Sequence, residues 1–68
     1  MAKEVGFDIG GVSGSYMVKS DGSEAIAWVG DAKWVLLKDG HIAPTPTDSI
    51  VEAALVALSK QIWPARVP

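Results

Sequence analysis

Cysteine is absent from this 68-residue chain, and histidine, phenylalanine and tyrosine each occur once. Without cysteine there can be no disulfide, no thiolate zinc site and no cysteine nucleophile. A lone histidine, His41, rules out a histidine cluster. Arginine is also a singleton, Arg66, and the lysines lie far apart at Lys3, Lys19, Lys33, Lys38 and Lys60. The net charge is −2 and the isoelectric point lies near 5.0. Nothing here resembles the basic stripe through which counterion release drives nucleic-acid binding. Long apolar runs are missing as well. None approaches the roughly 20 residues that cross a bilayer. The short N-terminal run is interrupted by Glu4 and Asp8 and is too brief for the core of a secretory signal. A soluble, cytoplasmic protein without a membrane partner is the expectation.

What is present is apolar. Hydrophobic residues make up 49% and charged residues 21%, so a disordered chain is excluded. The mean hydropathy is +0.24, high for a chain with so little interior to offer. A domain of this size buries only about 60% of its unfolded surface, which leaves a monomer marginal. Small domains compensate with disulfides, a metal or a partner subunit. Partner subunits are the remedy this composition leaves open.

Turn signals punctuate the chain at regular intervals. Asp21-Gly22, Gly30-Asp31 and Asp39-Gly40 separate short apolar runs, and such pairs favour hairpins with type I′ turns. The spacing predicts strands at about 4–9, 15–20, 24–29, 33–38 and 41–44. The pattern changes after Pro44. Thr45 before Pro46 suits an N-cap followed by proline at the first helical position, and Ser49 with Glu52 offers a second capping box one turn later. Val51, Leu55, Leu58 and Ile62 recur at helical spacing until Pro64, which predicts a helix over about 46–63. The fold class expected is α+β: an antiparallel meander of four to five strands and one C-terminal helix, all in a single domain over residues 1–68.

Alternation within the strands is more informative than their number. Ile26 and Trp28 point one way and Ala25, Ala27 and Val29 the other; Trp34 and Leu36 oppose Val35 and Leu37. Both faces of the sheet are therefore apolar, whereas a sheet with one wet face alternates apolar with polar. One helix of about four turns covers one face only. The second face, or the small-residue stripe Ala53, Ala54 and Ala57 on the helix, needs another chain. A homo-oligomer is expected, a dimer before larger assemblies.

The stretch "FDIGGVSGSY" at residues 7–16 raises the question of an anion-binding loop. Phosphate loops aim backbone N–H groups at the anion with a helix behind them. A strand follows here, and neither the Walker pattern nor G-x-G-x-x-G is met. With the residues up to Ala27, the stretch resembles the first hairpin of the actin-like sugar kinases, where a strand ends in Asp-Ile-Gly-Gly-Thr. Asp8, Ile9, Gly10 and Gly11 match, and Val12 replaces the hydroxyl residue. That resemblance covers about a third of the chain. It implies an aspartate near a metal and a turn holding nucleotide phosphates, in a fold of two large domains that 68 residues cannot supply. A glycine connector or bulge between two strands is the reading adopted.

The remaining candidates are aromatic. Trp28, Trp34 and Tyr16, with Lys19, Lys33 and Lys38 nearby, would make a base-stacking platform if Trp28 and Trp34 shared a face. The element order is similar to that of the dimeric single-strand-binding transcription coactivators. The same residues serve equally as a cross-strand pair in a core or dimer interface. Trp63 is either a lid on the sheet or an interface anchor. His41 after the Asp39-Gly40 turn has no nucleophile to assist, and Asp21, Asp31 and Asp39 occupy turns for conformational reasons. No catalytic residue, cofactor or metal is expected. The function expected is that of a small acidic protein-binding or regulatory protein, inhibitor-like, whose charge suits a basic partner. The alternatives are a single-strand nucleic-acid module, a nucleotide-binding fragment of an enzyme complex, and a structural ring or shell.

Overall fold

A computed structural model describes residues 3–64. Five strands run in chain order as an antiparallel meander: β1 (Glu4–Ile9), β2 (Val12–Val18), β3 (Glu24–Val29), β4 (Ala32–Leu37) and β5 (Ile42–Ala43). One helix, α1 (Ser49–Ile62), follows and lies on a single face of the sheet. The α+β architecture read from the sequence is the one observed. Arg66 falls outside the described residues.

The turns are built differently from one another, and the differences decide which side chains meet. Ile9 pairs with Val12 across Gly10-Gly11, both with positive φ (58° and 83°), as a type I′ turn requires. The opening glycine stretch is therefore a hairpin turn, and β2 begins at Val12, earlier than the spacing suggests. Across the Gly30-Asp31 turn only Gly30 has positive φ, the arrangement of type II′, with Val29 facing Ala32. In neither Asp-Gly turn do Asp and Gly form the central pair of a type I′ turn. Gly22 N–H donates to Lys19 O and Gly40 N–H to Leu37 O, so each glycine ends a four-residue turn in the left-handed region. The aspartates brace these turns: Asp21 accepts from the backbone N–H and hydroxyl of Ser23, and Asp39 from the N–H of His41.

The helix starts later than the proline pattern predicts. Asp48 is the N-cap, its carboxylate accepting from the N–H groups of Ile50 (2.8 Å) and Val51 (3.4 Å). Neither Thr45 nor Ser49 takes that role. A carboxylate serves the cap better than a hydroxyl placed one turn earlier, because its charge also meets the positive end of the helix. At the other end the backbone N–H of Trp63 closes on Ser59 O.

The core lies between α1 and the sheet. Leu36, Leu55 and Leu58 are completely buried and join Ala25, Ala27 and Trp63 in one cluster. The two alanines on β3 keep the middle of the sheet low, so the helix leucines approach closely. Phe7, Tyr16, Val18, Trp34 and Ile42 close the margins, with the Phe7 and Tyr16 rings 6.4 Å apart. Gly14, facing Phe7 across the ladder, is a place where no side chain fits. A Cβ there would collide with the Trp28 carbonyl oxygen and lie 3.1 Å from the Phe7 ring. Among the described residues, no helix is long and apolar enough to cross a membrane.

Candidate docking surface

Pairing register assigns every strand residue to a face. Tyr16 faces Ala27, which faces Trp34, so Tyr16 and Trp34 stand on the helix side and pack at the margin of the core. Trp28 faces Ser15 on one neighbour and Lys33 on the other, which places it on the opposite side. The platform of Trp28, Trp34 and Tyr16 is therefore not assembled. The cause is local: a two-residue turn sets Val29 against Ala32, and two even-numbered positions on the paired strands then point to opposite faces. Trp63 is a lid within the chain. It is 8% exposed, and its indole N–H donates to Gly22 O at 2.8 Å, tying the helix end to the β2–β3 turn.

The outer face gathers the apolar residues that the aromatic pattern overlooked. Met17, Ile26 and Val35 run in one row across β2, β3 and β4, and Ala43 of β5 extends it. Trp28 lies on one side of this row and Leu37 on the other. Each of the five larger side chains is half-buried. The only helix among the described residues packs on the opposite face. Alternation in β3 and β4 already separated Ile26 and Trp28 from the alanines; the turn length was the further step needed to add Val35 and Leu37.

Charge surrounds this apolar band unevenly. Glu4 and Asp8 of β1 lie at one margin, with Glu4 accepting from the Ser15 hydroxyl at 2.6 Å. Lys33 of β4 lies toward the other, beside Trp28. Glu24 is paired with Lys19 at 3.2 Å. Asp21 sits in the β2–β3 turn. The backbone N–H of Ser23, then its hydroxyl and the Lys19 charge, hold the Asp21 carboxyl below its ordinary range.

Chemistry of other kinds finds little to work with. Asp8, the residue matching the kinase aspartate, is exposed on the outer face beside Ser13. Gly10 and Gly11 are used by the hairpin turn, with a strand and not a helix behind them. His41 is exposed, and its carbonyl accepts from Leu37 N–H. Among the described residues no group of three or more His, Cys, Asp or Glu side chains is placed to hold a metal ion. Comparison with protein-family models, curated proteins and solved structures returned no match.

Proposed function

We propose that this chain is a small acidic, non-catalytic binding protein of the regulatory or inhibitor-like type, and that it works as a homo-oligomer. One observation carries the reading: the outer face of the sheet presents Met17, Ile26, Trp28, Val35 and Leu37 together, with the helix on the other side. Burying apolar surface is worth about 25 cal/mol per Å². For a chain this short that is a large share of the few kcal/mol of stability available to it. An apolar sheet face rimmed by polar residues is a docking surface in a soluble protein.

The character of the rim supports binding over chemistry. Its charged groups are exposed carboxylates and a lysine without the close, buried pairing that tunes a catalytic acid or base. The acidic balance of the chain suits a regulatory partner with a basic surface.

The test is a single substitution at the centre of the band. Ile26→Asp is expected to disperse the oligomer into folded monomers, read by light scattering and circular dichroism. A wild-type chain that scatters as a monomer, or an Ile26→Asp chain that stays assembled, contradicts the reading.

A further inference from the structure

Resting on that reading, we infer that the occupant of the outer face is a second copy of this chain, stacked sheet on sheet. The twofold axis runs parallel to the strands. It sets β1 of one copy over β5 of the other and brings Lys33 of each to the acidic margin of its mate.

With its strands aligned, a sheet can stack on itself in two ways about a twofold axis lying between the layers. With the axis along the strands, strand order is reversed across the interface: β1 lies over β5, β2 over β4, and β3 over itself. With the axis across the strands, every strand lies over its own copy. The second arrangement puts Glu4 and Asp8 opposite Asp8 and Glu4, which is repulsive. The first puts that acidic margin on the side where β4 carries Lys33. It also superposes Met17 on Val35 and sets Ile26 and Trp28 against their own copies at the axis. Met17, Ile26, Trp28 and Val35 then each meet an apolar group of the mate, while Leu37 falls at the rim over Lys19. Glu24, the remaining acid of the face, is already neutralised by Lys19.

Size and edge chemistry point the same way. Four strands of six or seven residues, spaced about 4.8 Å apart with the two-residue β5 beside them, make a face of roughly 20 by 20 Å. Two such faces stacked remove on the order of 800 Å² from water, the size of a weak, reversible interface. Lateral growth through the free edge of β1 is a poorer use of the same chain. Antiparallel pairing of two β1 strands about Gly6 would set Glu4 directly against Asp8, and charged edge residues oppose such pairing.

Charge exchange tests the arrangement. Light scattering at low ionic strength is expected to show Lys33→Glu weakening the wild-type dimer about tenfold, since an attraction becomes a repulsion at two symmetric places. The triple variant Glu4→Lys, Asp8→Lys, Lys33→Glu, with the signs exchanged, is expected to restore it to within about threefold. The cysteine-free background allows an independent measurement. Mixed Glu4→Cys and Ala43→Cys chains should cross-link through a short bismaleimide, and neither variant alone should do so. A wild-type dimer unaffected by Lys33→Glu, or Glu4→Cys chains cross-linking to each other, overturns this stacking and leaves self-association standing. A wild-type chain that remains monomeric removes the self-association reading itself.

Discussion

At the scale of single residues, glycine does two different jobs in this chain, and substitution separates them. Gly10 and Gly11 occupy the left-handed region with open space around them, so an added methyl meets only backbone strain. Gly14 has no such φ but is jammed against the Trp28 carbonyl and the Phe7 ring. Gly10→Ala should cost about 1 kcal/mol, the ordinary left-handed penalty. Gly14→Ala should cost about 2–3 kcal/mol, because backbone must move. Urea denaturation of the two variants checks the order, and a reversed order refutes the close-packing account of Gly14. The turn at Gly10-Gly11 was legible from the strand and glycine pattern. The tight approach at Gly14 was not, since it depends on a neighbouring strand distant in sequence. Asp21 carries a second residue-scale expectation. Its folded carboxyl titrates below the unfolded value of about 4, so its stabilising contribution is complete above that pH and vanishes as pH falls through the folded value. Thermal melts should show wild type exceeding Asp21→Asn at neutral pH, with the gap closing below about pH 4. A gap that widens in acid contradicts the hydrogen-bonding account.

At the scale of elements, the start of α1 shows how a local signal can mislead by one turn. Proline after threonine is a sound N-terminal pattern, yet Asp48 holds the cap because its carboxylate reaches two free N–H groups. Asp48→Ala is expected to lower stability by about 1 kcal/mol, while Ser49→Ala leaves it within about half of that. Equal losses at the two positions contradict the assignment. Strands β1 and β3 were readable to the residue, because alternation and turn glycines agree there. The faces of β3 and β4 were readable only in part. Side-chain alternation gave each strand two sides, but which side of β4 joined which side of β3 depended on the turn between them. Once Gly30-Asp31 is taken as a two-residue turn, Trp34 must join Ala25 and Ala27 under the helix, on the face opposite Trp28. The aromatic platform rested on that one register.

The molecule as a whole is covered on one side of its sheet only. One helix of fourteen residues meets one face of a five-stranded sheet, and the other face carries an apolar band between charged margins. That much was legible in the composition, where 49% hydrophobic residues accompany a length too short to hide them. What the composition could not assign was the identity of the uncovered residues, because only the folded register sorts Met17, Ile26, Val35 and Leu37 onto the same side as Trp28. The proposed self-association follows from that face, and so does the stacking of two copies through it. Sedimentation equilibrium of the wild-type chain, from low micromolar to near millimolar concentration, is the most direct test. The account predicts a reversible transition from folded monomer to dimer across that range. A folded chain that sediments at monomer mass throughout contradicts it.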